Sequence, residues 1–157
     1  MSLIDDVSLI IKKILKISFF QLKLDTTLKS VGTCRGSFKS YGWMCEIKIA
    51  PQKDTVNLCR VLLHEITHAL KIFEDKILSE KVAEYVSTFI LFGENWVEHR
   101  TSINTWGNNY FRQDERKSLI HTASWENARL EGEKLMTEYK TFFEKLEDCI
   151  LEYLTSN

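Results

Sequence analysis

The sequence predicts an α+β fold: a small antiparallel sheet packed on two central helices, followed by a C-terminal helical extension. Three observations carry that prediction. Apolar residues recur at helical spacing in three separate stretches, within 3–15, 55–73 and 135–153. "MCEIKIA" (44–50) alternates apolar and polar residues as a half-exposed strand does. Between the first helix and that strand, Gly32, Gly36 and Gly42 punctuate a turn-rich, hairpin-like region.

Taken in order, Ile4, Val7, Ile10, Ile11, Ile14 and Leu15 define the first helix. "KISFFQLKL" (16–24) has strand character, with Leu22 and Leu24 set against polar neighbours. In the strand 44–50, Cys45, Ile47 and Ile49 face one way and Met44, Glu46 and Lys48 the other. Pro51, the only proline, ends it. Asp54 or Thr55 can cap the next helix. Its apolar residues, from Leu58 to Phe73, cover more than half the circumference. One narrow polar stripe remains: Asn57, Arg60, His64, Thr67, His68 and Lys71. "EDKIL" reads as a linker, and Ser79 as the N-cap of a second helix near 80–92. That helix sets Val82, Tyr85, Val86 and Phe89 on one face and Glu80, Glu84, Ser87, Thr88 and Leu91 on the opposite stripe. Residues 93–113 are rich in glycine, asparagine and aromatics and read as mostly irregular. From Asp114 onward the pattern is helical, with an expected interruption at Gly132. Leu135, Tyr139, Phe142, Leu146, Cys149 and Tyr153 form a stripe that must pack along something. The chain thus divides into a core over 1–95 and an aromatic loop with helical extension over 96–157, expected to form one compact domain.

Composition narrows the function classes. The 157 residues are 44% hydrophobic and 27% charged, and the formal net charge is −1. No global field draws such a chain to nucleic acid or to an anionic membrane. No apolar run approaches a membrane span, and the acidic start "MSLIDDVSLI" is unlike a signal peptide. Cys34, Cys45, Cys59 and Cys149 form no C-x-x-C pair and read as reduced, mostly buried thiols. A Cys34–Cys45 bridge has only proximity in sequence behind it. These features predict a cytoplasmic protein.

The chemistry sits in "HEITH" (64–68), which fits H-E-x-x-H. Two imidazoles one helical turn apart can ligate one Zn²⁺, and Glu65 between them can act as a general base without ligating. A catalytic zinc needs a third protein ligand, and the candidates are Glu80, Glu84, His99 and His121. Glu80 near the expected helix start is explained by the helix dipole. Glu84 lies past that first turn, so Glu84 is the expected ligand, with Glu80 as the alternative or as a supporting group. His99 and His121 read as surface or packing residues.

"RVLLHEITHALKIFEDKILSEKVAEYVSTFIL" (60–91) resembles the gluzincin class of zinc metallopeptidases. More closely, it is similar to the minimal single-domain gluzincins often encoded by phages and prophages. The resemblance implies a zincin-like core over 1–95, with His64, His68 and Glu84 as zinc ligands and Glu65 as general base. It also implies that "CEIKIA" is the rim strand that aligns an extended peptide substrate. Larger gluzincins often carry an acidic residue four positions after the ligand glutamate, where this chain has Thr88. The expectation is therefore a zinc metalloendopeptidase acting on a protein or peptide. The oxyanion partner is sought among Tyr41, Tyr110 and His121, and residues 96–157 are expected to cover the cleft without supplying a ligand. The alternative is a non-enzymatic, zinc-braced interaction module that uses the C-terminal helix.

Overall fold

A computed structural model describes residues 2–39, 45–101 and 124–156. The elements run α1 (Leu3–Ile14), β1 (Phe20–Leu24), β2 (Gly32–Arg35), β3 (Cys45–Ile49), α2 (Thr55–Leu70), α3 (Lys76–Phe92), the single turn α4 (Trp96–His99), α5 (Trp125–Glu138) and α6 (Lys140–Ser156). The α+β class is as expected. Local chemistry explains where the helices begin. The Ser2 hydroxyl accepts from Asp5 N at the start of α1, with Asp5 and Asp6 in its first turn and Lys12 and Lys13 in its last. That charge order suits the helix dipole. The Asp54 carboxylate caps α2 by accepting from Val56 N.

The sheet differs from expectation. Its order is β1-β3-β2, with β2 antiparallel to β3 but β1 parallel to it. The sheet is therefore mixed, not antiparallel. The reason lies at the far end of β3. Asp25 N donates to Ile49 O at 2.9 Å, and Ala50 N donates to Val31 O at 2.8 Å. These bonds hold the 25–31 connection across the end of β3, so the chain passes from one side of β3 to the other before reversing into β2. The Asp25 carboxylate shapes that turn by accepting from Thr27 N. A second consequence follows. β3, with Cys45, Ile47 and Ile49 buried, is the paired centre of the sheet. It is not the rim; β2 is the edge strand beside α2.

The core joins both faces of α2 to the rest. Leu62, Leu63 and Ile66 are fully buried with Ile47 and Ile49 of the sheet, Val7 and Ile11 of α1, Val82 of α3, and Phe142 and Leu146 of α6. Fully burying one such side chain is worth roughly 1.5–3 kcal/mol. α3 packs on α2 and on α5, and α6 packs on α1. The stripe from Leu135 to Tyr153 is thus buried or half-buried within the chain. All four cysteines are free thiols. Among the described residues no helix is long and apolar enough to cross a membrane.

Two boundaries moved. α3 begins at Lys76, a full turn before the expected start, because the Asp75 carboxylate caps it by accepting from Leu78 N at 2.9 Å. Ser79 lies inside the helix. Near the C-terminus, α5 runs through Gly132, and the break falls at Tyr139. Gly132 is a contact point instead: a Cβ there would lie 2.5 Å from Tyr85 Cδ2. Tyr85 is buried, stacked on Phe89 and edge-on to Trp96, so its ring has nowhere to go.

Gly132→Ala therefore sets two effects against each other. Alanine gains about 1 kcal/mol of helix propensity, and overpacking typically costs about 1–3 kcal/mol. With a buried ring at 2.5 Å the overpacking wins, and the variant is expected to unfold at lower denaturant than wild type. A raised midpoint in a urea titration would contradict the contact.

Candidate metal centre

α2 and α3 pack side by side, and their polar stripes meet along one wall of a cleft of about 860 Å³. His64 and Glu65 come from α2, with His68 one turn on; Glu80 and Glu84 come from α3. Ser30 to Gly36, including β2, form the opposite wall. Burying three carboxylates is costly unless each is paired, and two of them are paired explicitly.

Glu80 is the point of convergence. Its Oε2 lies 2.9 Å from His64 Nε2 and its Oε1 lies 3.1 Å from His68 Nε2. One ligand atom from each of the three residues lies within 4.8 Å of the others, so His64, His68 and Glu80 can hold a metal ion. The outer ring nitrogens explain why both Nε2 atoms point inward. His64 Nδ1 is 3.3 Å from Glu84 Oε1, and His68 Nδ1 is 3.1 Å from Ser79 Oγ. A ligating histidine is oriented by such a bond on its other nitrogen.

The group that can hold a metal ion thus contains Glu80 where the sequence led to the expectation of Glu84 beside His64 and His68. Glu84 sits behind His64, and its second oxygen accepts from Arg60 Nη2 at 2.8 Å and from Thr101 N at 2.9 Å. The Arg60 guanidinium also donates to the Thr101 hydroxyl. Glu84 is thus taken up by three partners on the side away from Glu80. The physical reason is the offset of α3 along α2, which sets Glu80 against both Nε2 atoms and Glu84 against His64 Nδ1; the earlier start of α3 removes the other explanation for Glu80. With Asp75 as cap, Glu80 is no longer a first-turn residue placed for the dipole. His99 stacks on Phe92, with ring centroids 3.8 Å apart, and is not in the cleft. His121, Tyr41, Tyr110 and the 102–111 part of the aromatic loop lie outside the described residues.

Arg60, Ser79 and Thr101 are the supporting residues that sequence reasoning missed. Arg60 had a signal, since it lies on the polar stripe one turn before His64. Thr101 had none, because its contact is set by how the chain returns after α4.

The electrostatics follow from these contacts. Burial, the largest single effect, pushes His64 toward neutrality, but its bonds to Glu80 and Glu84 outweigh it and raise the pKa to about 10. Burial likewise pushes Glu80 up, yet the bonds from His64 and His68 hold it well below the usual carboxylate range. Glu84 is also lowered: burial is outweighed by His64, Thr101 N and Arg60. Glu65 differs. Burial raises it, and the pull of His64 and His68 does not cancel that effect. A carboxyl so raised accepts a proton more readily near neutral pH, as a general base must.

The chain matches no protein-family model, no curated protein and no solved structure.

Two expectations follow. Glu80→Ala should abolish tight metal binding, because it removes a donor. Glu84→Ala should weaken it roughly 10–100-fold, the usual cost of losing a group that orients a ligand. Zinc content after dialysis against a weak chelator would distinguish them, and zinc loss in Glu84→Ala alone would restore the original assignment. The second concerns protons. His64 must be neutral to ligate, so metal and proton compete for it. Without metal the raised pKa stabilises the fold fully below about 6.5, and that stability is lost as pH rises toward about 10. The apparent Zn²⁺ affinity should accordingly increase up to about pH 10, with about one proton released per ion bound near pH 7. Calorimetry in buffers of different ionisation enthalpy measures that proton; an affinity independent of pH would contradict the His64–Glu80–Glu84 arrangement.

Proposed function

We propose that this chain is a zinc-dependent metallopeptidase of the gluzincin kind, with His64, His68 and Glu80 as zinc ligands and Glu65 as general base. The observation that supports this reading best is the convergence of His64 Nε2 and His68 Nε2 on the two oxygens of Glu80 inside an open cleft that Glu65 also lines. Two imidazoles and one carboxylate make a hydrolytic donor set, whereas structural zinc usually takes four ligands, often cysteines. Cys34 is the one cysteine lining the cleft, and it is absent from the three-residue cluster.

The revised ligand also improves the fit to the gluzincin pattern. With Glu80 as ligand, the acidic residue four positions later is Glu84, and it contacts the outer nitrogen of His64. Thr88 then has a different task, donating its hydroxyl to Glu84 O.

Zinc bound here supplies a Lewis acid that polarises a peptide carbonyl and makes a water molecule acidic near neutral pH. The remaining work belongs to the chain. Glu65 takes a proton from the attacking water and delivers it to the leaving amine. Glu84, kept ionised by Arg60 and Thr101 N, holds the His64 ring in place. Among the described residues β2 has a neighbouring strand on one side only and lines the cleft, where an extended peptide can add as a further strand. The substrate is thus an extended peptide segment within a protein. The free thiols suit a reducing cytoplasm.

The rival reading, a non-enzymatic interaction module, relied on the apolar stripe of the C-terminal helices. That stripe packs on α1 and α3 within the chain, which favours the enzyme.

Glu65→Gln provides the test. The change is nearly isosteric and touches no ligand, so zinc content and thermal midpoint should match wild type. Hydrolysis of a susceptible peptide from a broad library should fall by roughly 10²–10⁴-fold. Undiminished turnover in Glu65→Gln would end this mechanism.

A further inference from the structure

Gly32 opens β2 on the wall of the cleft, and its backbone comes unusually close to α2. A Cβ at Gly32 would stand 2.9 Å from Glu65 Cγ, 2.9 Å from Val61 Cγ1 and 3.1 Å from Glu65 Oε2. Val61 and Glu65 are one turn apart on the same face of α2, and both are buried. An added methyl group would therefore have to push one of them aside, and Glu65 has the cleft to move into. The strand cannot easily retreat. Gly32 is paired opposite Ile49 of β3, Ala50 N donates to Val31 O, and Gly32 O accepts from the Ser30 hydroxyl at 3.1 Å.

A glycine within a strand weakens it, so it calls for a reason. Backbone conformation is not that reason here, because the positive-φ glycines are Gly36 and Gly93. What the missing side chain does is leave a slot, and the slot is filled by the Glu65 side chain. We propose that Gly32 is a positioning residue: the absent Cβ lets the Glu65 carboxylate lie between β2 and the His64–His68 face, beside the strand edge offered to substrate. The catalytic consequence rests on the peptidase reading above; the placement of Glu65 does not. Glu65 is held by its neighbours rather than by a covalent or metal bond, so a single methyl group at residue 32 displaces the base and leaves the three ligands alone.

The test uses zinc-loaded full-length protein and three variants. Gly32→Ala inserts the methyl group against both Glu65 and Val61. Lys23→Ala perturbs the same sheet at an exposed residue of β1 that does not line the cleft. Gly32→Ala combined with Val61→Ala removes the Val61 contact but keeps the one to Glu65, and it guards against a fold too crowded to form. Zinc content, thermal midpoint, kcat and KM are read well below the melting temperature, and the Glu65 side chain is located by crystallography. Gly32→Ala should retain about one zinc per chain, lose about 10²-fold in kcat with KM nearly unchanged, and show a displaced Glu65 carboxylate. The double variant should regain stability and remain impaired in kcat, and Lys23→Ala should resemble wild type. The proposal is overturned by a Glu65 carboxylate that stays in place in Gly32→Ala, by zinc lost in step with kcat, or by full kcat in the double variant. If the wild type cleaves no peptide but Gly32→Ala still displaces Glu65 beside an intact zinc, the peptidase reading fails and the positioning role stands.

Discussion

Three glutamates and a histidine, all less than a tenth exposed, occupy the seam between α2 and α3. Most of what is distinctive in this protein depends on how their charges are met. Removing a carboxylate from water costs several kcal/mol in real proteins unless an opposite charge and good hydrogen bonds replace the solvent. Glu80 meets that demand with both imidazoles, and Glu84 with His64, Arg60 and Thr101. The helices can therefore pack closely along a polar seam. The contacts that Glu80 and Glu84 make with His64 and His68 also orient the ring nitrogens, so the bonds that stabilise the seam shape the group that can hold a metal ion. Glu65 stands apart: among the described residues no hydrogen bond pulls its carboxylate down, burial leaves its pKa raised, and it is the group of the three best suited to accept a proton.

The surrounding fold has a simple task, which is to keep that seam rigid and one side of it open. α2 is buried on most of its circumference, with Leu62, Leu63 and Ile66 sealed against the sheet and α6. α5 closes against the back of α3 through the tight Gly132–Tyr85 contact. β3 anchors the sheet from its centre, which frees β2 to bring its backbone up to Glu65. The two glycines therefore do related work at two different packing contacts: each admits a neighbour where any other residue would hold it off.

Much of this was legible in sequence, for identifiable reasons. The four-residue spacing of His64 and His68 places both rings on one helical face whatever else happens, and the alternation in 44–50 states which side of β3 is buried. The third ligand was harder. Glu80 and Glu84 are also four residues apart, so both lie on the correct stripe, and the choice between them depends on how far α3 is offset along α2. That offset is a tertiary quantity. The local clue, Asp75 rather than Ser79 as the cap of α3, shifts the helix start by one turn and leaves the stripe unchanged. Strand direction was hidden for a similar reason. Nothing within β1 or β2 states that the chain crosses the end of β3 between them. Gly132 read as a helix break because its propensity is visible in sequence and the ring of Tyr85 above it is not.

The central claim is that two imidazoles and Glu80 form one metal centre made of nitrogen and oxygen donors. X-ray absorption at the zinc edge of the purified, metal-replete protein tests it most directly. The account predicts two imidazole nitrogens and one or more oxygens at roughly 2.0–2.2 Å, with no sulfur neighbour. A sulfur shell near about 2.3 Å, or a single imidazole, would contradict it.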